Sequence, residues 1–259
     1  MQLVEYWIRH GSSIATFNYD TLIERAITEY FKRSHEPCTS ANLFPFFTNA
    51  TPPGYPGGYP DRPCPNCVIP ADPPYYLTSL YKLHGSVNWY YSGSDNYAGE
   101  TLHQIPVMGW TTAAHVHGSL TRTHEYQAIA GKVPLIIPPV MNKSPRFQHE
   151  AVTETWNRAQ YSLRKATRIF AIGYSLPTAD TAFQQLLHWD GEIQEYHAVS
   201  LREQGEDAST AQPKTIYVIN MDPTAVDRYL DRLGRSYEID GTYTGPDAVA
   251  RFVLDLPNL

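Results

Sequence analysis

The sequence predicts an α/β protein built on an open sheet, and three strand-to-helix crossings carry this prediction. Apolar, β-branched runs typical of buried strands begin at Ile14, Arg168 and Thr215, and each ends in a polar turn. The segment after the first run has a helical pattern, because apolar residues fall on one face at positions 22, 23, 26, 27, 30 and 31. Open α/β sheets bind ligands at the carboxyl ends of their strands, so a site is expected at these crossings.

The other predicted elements follow from the same patterns of apolar residues and breakers. In chain order they are an amphipathic helix at residues 1–10, a mostly apolar segment at 75–83, a short strand at 133–139 ended by prolines, a helix at 147–165, a helix from residue 178, and a strand and a helix within 236–259.

Length and composition bound the class of protein. The 259 residues suffice for one α/β domain, 1–259, with a small insert. A formal net charge of −6 argues against a nucleic-acid-binding surface, which needs clustered Lys and Arg. No apolar run has the length of a membrane span, and the N-terminus lacks a signal-peptide pattern. With three cysteines, the chain is expected in a reducing cytoplasm, with neither nucleic acid nor membrane as partner.

The first crossing places Asn18 and Asp20 between a strand and a helix. A helix N-terminus presents free N–H groups and partial positive charge, so polar side chains there can be aimed at a ligand. The alternative is a simple capping turn, because Asn and Asp are both favoured N-caps.

His84 follows the apolar segment and precedes Gly85. A histidine at a strand end can act as a general base near neutral pH, and glycine lets the backbone approach a ligand closely. The alternative is a core histidine bonded to a carbonyl. The neighbouring Trp89, Tyr90 and Tyr91 are predicted to pack rather than to stack on a substrate.

The two later crossings are Gly173-Tyr174-Ser175 and Asn220. The strand–Gly–helix pattern of the first suits backbone contact with a ribose or a phosphate. Its alternative is an ordinary βα turn. The alternative for the second is a capping turn through Asp222, with Pro223 at the first helical position.

An irregular insert rich in Pro, Gly and Tyr is predicted at residues 35–76. It contains His35, Cys38, Cys64 and Cys67, spaced as H-x₂-C and C-x₂-C, which could form a tetrahedral Cys₃His zinc site. Such a metal would stabilise an insert with little apolar content. Alternatively, His35 merely ends the preceding helix, where a cation is favoured.

Four segments together resemble the sirtuin-like family of NAD-consuming proteins, in the family's order and each at a predicted strand end. The family's Phe-Gly-Glu, which helps to hold the acylated peptide in deacylases, is replaced here by Ile137-Pro138-Pro139. The chain is therefore more similar to the bacterial sirtuin-like NADase domains of anti-phage defence than to protein deacetylases. The four segments are Thr16-Phe17-Asn18-Tyr19-Asp20, Leu83-His84-Gly85-Ser86-Val87-Asn88-Trp89, Gly173-Tyr174-Ser175-Leu176-Pro177 and Ile219-Asn220.

The resemblance implies a Rossmann-like, doubly wound, mostly parallel sheet and an NAD⁺ glycohydrolase that cleaves the nicotinamide–ribose bond. It implies that Asn18 holds water or the nicotinamide ribose, that Asp20 orients Asn18 or the nicotinamide amide, and that His84 is the base. The remaining implied NAD⁺ contacts are Thr16, Phe17 and Gly85 beside them, and Gly173, Tyr174, Ser175 and Asn220 on the adenosine half. The alternatives are an NAD-dependent deacylase and a truncated, non-catalytic module that binds nucleotide or a partner.

Two departures from the family qualify this expectation. The family's Gly-Ala-Gly-x-Ser turn has no counterpart before Asn18, so we expect an N-terminally incomplete fold that lacks a central strand. Such a chain, alone, is expected to be poorly stable and inactive, or to need a second copy or an effector or sensor partner. Phe17 also stands where deacetylases usually carry Gln, which affects the ribose contact at that place.

Overall fold

The computed structural model describes residues 2–34, 79–93, 102–104, 127, 130–138, 149–178, 180–181, 184, 187, 214–233 and 237–258. Within these residues the protein is a mixed α/β structure with two parallel sheets and one antiparallel sheet, which confirms the α/β class. None of the helices in the described ranges combines the length and the apolar composition needed to cross a bilayer. The predicted insert at 35–76 lies outside the described residues.

The chain divides into two compact units, and each is described by itself. The first unit comprises Met1–Pro138 and Asn142–Ala159, and the second comprises Pro139–Met141 and Gln160–Leu259. The expectation of a single domain therefore stays a prediction.

The first unit opens with an α–β–α–β sequence. It consists of α1 (Gln2–Arg9), β1 (Ser13–Thr16), α2 (Leu22–Ser34) and β2 (Ser79–Lys82). Strands β1 and β2 run parallel, with Ser13 opposite Ser79 and Thr16 opposite Lys82. The predicted apolar face of α2 packs against α1 and β2, because Ile27, Val4 and Leu80 are buried in one cluster.

The rest of the first unit is an antiparallel sheet that the sequence did not predict in full. Its strands are β3 (Gly85–Tyr91), β4 (His103–Gln104) and β5 (Val133–Ile136), in the order β4-β3-β5. Helix α3 (Glu150–Lys165) packs its first turns against this sheet, and the boundary between the units falls within it. The predicted packing of Trp89 and Tyr91 is confirmed, since both are buried in this cluster.

The second unit is a three-stranded parallel sheet with helices. Its strands are β6 (Arg168–Ile172), β7 (Lys214–Asn220) and β8 (Tyr237–Thr244), in the order β6-β7-β8. Helices α4 (Thr224–Arg232) and α5 (Ala248–Asp255) follow β7 and β8, and a 3₁₀ turn covers Leu256–Asn258. Residues 181, 184 and 187 are helical, as predicted for the segment after residue 178.

The two faces of β7 explain why its central residues, 216–219, are apolar. Ile216 and Val218 join a core cluster with Tyr229 of α4. On another side, Tyr217 stacks on Phe170 with ring centroids 5.1 Å apart. A parallel strand that is covered on both faces reads as a continuous apolar run, which is why the sequence predicted it correctly.

Candidate functional site

The two strand ends of the first unit lie side by side. Because Thr16 faces Lys82 in a parallel pair, the segments that follow them leave the sheet at the same edge. The Leu83 N–H donates to the Thr16 carbonyl over 3.0 Å, and the Val87 N–H donates to the Tyr19 carbonyl over 2.9 Å. The Asn18 segment and the His84 segment are thus joined by main-chain hydrogen bonds.

His84 is enclosed by aromatic rings and is only 2% exposed. Its ring centroid lies 5.3 Å from that of Phe17, 6.5 Å from that of Tyr19 and 6.3 Å from that of Trp156. Phe17 and Tyr19 flank Asn18 in the sequence, so the structure brings the predicted base against the predicted Asn-containing segment. This burial also fits the alternative of a core histidine.

Asn18 and Asp20 have different surroundings. Asn18 is exposed, and its backbone N–H donates to Thr16 Oγ1 over 3.1 Å. Asp20 Oδ1 accepts the Leu22 N–H over 3.0 Å at the start of α2. The capping alternative therefore holds for Asp20, whose second carboxylate oxygen can still serve another purpose.

A buried ion pair fixes this strand end, and the sequence analysis missed it. Lys82 is 1% exposed, and its Nζ lies 2.9 Å from Glu24 Oε1, which belongs to a side chain 17% exposed. Lys82 Nζ also donates to the Asp20 carbonyl. A lysine at the end of an apolar strand was the available signal, because a buried ammonium needs an acidic partner.

Gly85 is required by the protein's own main chain. Its φ is +79°, and a Cβ built there would lie 2.0 Å from the Leu135 carbonyl oxygen. The close backbone approach predicted for Gly85 is thus made by β5. Its NAD⁺ contact stays a prediction.

In the second unit, two strand ends also meet. The Gly173 N–H, just after β6, donates to the Ile219 carbonyl of β7 over 2.8 Å. Gly173 has a φ of +68°, and no atom of the described residues lies within 4 Å of a Cβ built on it. Its main chain therefore borders open space beside the end of β7, where Asn220 lies.

The side-chain amide of Asn220 is buried, and only its oxygen is hydrogen-bonded among the described residues. The residue is 7% exposed, and its Oδ1 accepts the Asp222 N–H over 3.0 Å. Its Nδ2 has no hydrogen-bond partner among the described residues. Because leaving a buried donor unsatisfied costs about 1–3 kcal/mol, this amide is suited to a ligand oxygen.

The predicted capping turn through Asp222 is present beside it. Asp222 Oδ1 accepts the Thr224 N–H over 3.0 Å, and Oδ2 lies 2.8 Å from Arg228 Nη2. Hydrogen bonds from Arg228 and Thr224 lower the pKa of Asp222 to about 2. Pro223 lies at the N-cap of α4 rather than at its first helical position.

Tyr174 and Ser175 are held by residues that sequence reasoning missed. The Tyr174 hydroxyl donates to Asp180 Oδ2 over 2.7 Å. Burial, and then this bond, raise the pKa of Tyr174, so the phenol stays neutral. The Ser175 carbonyl accepts Arg228 Nε over 2.6 Å. Arg228 lies 53 positions from Ser175, so only its charged residue type inside α4 could have indicated this bond, whereas Asp180 lies six residues after Tyr174.

The candidate zinc ligands His35, Cys38, Cys64 and Cys67 lie outside the described residues. Within the part of the chain that the structure describes, no group of three or more His, Cys, Asp or Glu side chains is placed to hold a metal. The zinc site therefore stays a prediction.

Comparisons of the chain with protein-family models, with curated proteins and with solved structures found no match. The candidate residues form two sets, and each set lies within its own unit. The first set, in the first unit, contains Thr16, Phe17, Asn18, Asp20, His84 and Gly85. The second set, in the second unit, contains Gly173, Tyr174, Ser175 and Asn220.

Proposed function

We propose that the chain is a sirtuin-like NAD⁺ glycohydrolase domain with a Rossmann-like, doubly wound fold, acting in bacterial anti-phage defence. The observation that supports this most is the meeting of two motifs at one sheet edge. His84 lies 5.3 Å from Phe17 and 6.5 Å from Tyr19, measured between ring centroids, and these rings flank Asn18. A catalytic amide and a base need such proximity to act on one ribose.

The reaction assigns roles to Asn18, Asp20 and His84 of the first set. The nicotinamide–ribose bond breaks through an oxocarbenium-like state, so the site must hold the ribose and orient water. Asn18, which is exposed, holds water or the nicotinamide ribose. Asp20 orients Asn18 or the nicotinamide amide through the carboxylate oxygen that does not bond Leu22.

His84 is the base and acts through a ribose hydroxyl. Because the residue is 2% exposed, we expect the substrate to reach it only after the ring of Phe17 or Tyr19 moves aside. The same burial favours a second candidate function, a module that binds nucleotide without turnover. The two candidates differ in whether nicotinamide is released.

The adenosine half of NAD⁺ is assigned to the second set. Asn220 Nδ2, buried and without a partner among the described residues, donates to a ribose hydroxyl oxygen. Gly173 offers main chain bordered by open space, and the Ser175 hydroxyl bonds a ribose or phosphate oxygen.

The test measures NAD⁺ loss by the complete gene product, with nicotinamide and ADP-ribose quantified by mass spectrometry. Asn18→Ala and His84→Ala are each expected to lower turnover at least about a hundredfold, a typical loss for a general base or a positioned polar group. The matched control is His10→Ala, which changes an exposed histidine stacked on Tyr6 in α1 and should leave turnover unchanged.

Three results would contradict the proposal. Wild-type turnover in His84→Ala or Asn18→Ala would remove that residue from catalysis. Formation of O-acetyl-ADP-ribose from an acetylated peptide would identify a deacylase instead. NAD⁺ binding without any release of nicotinamide by the complete gene product would identify the non-catalytic module.

A further inference from the structure

The turn after β6 contains a strained residue. Leu176 has a φ of 51°, the one positive φ outside glycine among the described residues, and it is 1% exposed. Bulky side chains rarely adopt this conformation. It persists only where the surrounding structure holds it, and such residues cluster at ligand-binding sites.

Two adjacent residues of α4 hold two adjacent carbonyls of this turn. The Tyr229 hydroxyl donates to the Tyr174 carbonyl over 3.2 Å. Arg228 Nε donates to the Ser175 carbonyl over 2.6 Å. Both bonds reach the main chain directly before Leu176, so they oppose the rotation that would relieve its strain.

Arg228 also connects the turn to the segment that follows Asn220. Its Nη1 donates to Thr224 Oγ1 over 2.8 Å, and its Nη2 donates to Asp222 Oδ2 over 2.8 Å. The Asp222 N–H in turn donates to Asn220 Oδ1. One guanidinium therefore fixes the spacing between the two strand ends, which a planar group with several donors can do and an ammonium cannot.

We propose that Arg228 and Tyr229 are positioning residues that hold the turn at 173–176 against the Asn220 segment, in the conformation that binds the adenosine half of the substrate. Neither residue needs to touch the ligand. Their assignment to substrate binding rests on the proposed function. The claim that they hold the turn in place does not rest on it.

Hydrogen–deuterium exchange on the complete chain tests the hold. Arg228→Met and Tyr229→Phe should speed exchange of the amides at 173–176 by about tenfold to a hundredfold, as expected for the loss of one such hydrogen bond. Arg228→Lys should lie between wild type and Arg228→Met, because a single ammonium does not reproduce the planar array of Nε, Nη1 and Nη2 that meets the three acceptors. The matched control is Arg232→Met on the same helix, whose guanidinium bonds Gln184 and not the turn.

The pattern of exchange separates positioning from general stability. A merely structural role would speed exchange throughout β6, β7 and β8, whereas positioning confines the change to 173–176. The proposal that Arg228 and Tyr229 hold the turn would be overturned by either of two results. One is unchanged exchange at 173–176 in both Arg228→Met and Tyr229→Phe, and the other is a change spread evenly over the sheet.

Calorimetric titration with ADP-ribose tests the link to the substrate. Arg228→Met should raise the dissociation constant about tenfold or more, and Arg232→Met should not change it. If wild type does not bind ADP-ribose, the proposed function is refuted. The exchange experiment still decides whether Arg228 and Tyr229 hold the turn. If wild type and Arg228→Met bind equally, the role in substrate binding is refuted.

Discussion

Replacing Gly85 by alanine should destabilise the first unit strongly, because two separate penalties act on one methyl group. The backbone at Gly85 has a φ of +79°, and the added Cβ would lie 2.0 Å from the Leu135 carbonyl oxygen and 2.9 Å from its carbon. The contacted atoms are main chain of β5, so no side chain can rotate away. Either β3 or β5 must shift.

The magnitude follows from adding the two penalties. A non-glycine residue at a positive φ costs about 1–2 kcal/mol. Forcing a methyl group into a packed site that moves only by backbone shifts costs about 1–3 kcal/mol. Gly85→Ala should therefore lower the free energy of unfolding by about 2–5 kcal/mol.

Gly131→Ala isolates the first penalty, because Gly131 has a similar φ of +73° and none of the described residues lies within 4 Å of its built Cβ. Urea denaturation followed by tryptophan fluorescence gives the free energy of unfolding of each variant. Exchange of the β3 amides shows whether the loss is centred on this strand. Gly131→Ala should cost only about 1–2 kcal/mol.

Equal losses in the two variants would refute the reasoning. That result would mean that β5 can shift without cost and that the short contact with Leu135 does not lower the free energy of unfolding. A loss in Gly85→Ala without faster exchange in β3 would also contradict it.

Three further predictions concern other parts of the chain. Glu24→Gln should lower the free energy of unfolding, measured by urea denaturation, by about 3 kcal/mol, because the Lys82 ammonium loses its anion. The double variant Glu24→Gln/Lys82→Met should lose less. Equal losses in the two variants would contradict this prediction. The pKa of Asp222 falls from 3.8 to about 2 on folding, so the stabilisation by this carboxylate is complete above about pH 4 and is lost as the pH falls toward 2. Asp222→Asn should therefore give a flatter pH dependence of the free energy of unfolding. An unchanged slope would contradict this prediction. Purified protein should contain zinc by elemental analysis and Cys64→Ser should lose it, and a metal content that the substitution leaves unaltered would exclude the site.

The sequence was most informative where local pattern and burial coincide. The centre of β7, residues 216–219, is apolar because both faces are covered, and α2 shows its buried face through Ile27 and its helical neighbours. The Asp222 cap is equally local, since donor and acceptor lie two residues apart. Such features are determined by residues that are close in the chain, so one sequence suffices to predict them.

The features that were missed depend on partners far along the chain. Strand β3 pairs with β5, and residues 92–132 separate the two strands. The bond between Lys82 and Glu24 spans 58 positions, and that between Arg228 and Ser175 spans 53. A pairing at that distance depends on how the chain folds back, which residue types alone do not encode in one sequence.

The candidate base lies at the joint between two sheets of different type. Leu83 and His84 connect the parallel strand β2 to the antiparallel strand β3, and both are tied by main-chain bonds, Leu83 to Thr16 and His84 to Ile137. The main chain at position 84 is therefore fixed by both sheets, and the ring packs against Phe17, Tyr19 and Trp156. A ¹⁵N-labelled histidine at position 84 would therefore report by NMR whether the ring is protonated, without changing its chemistry.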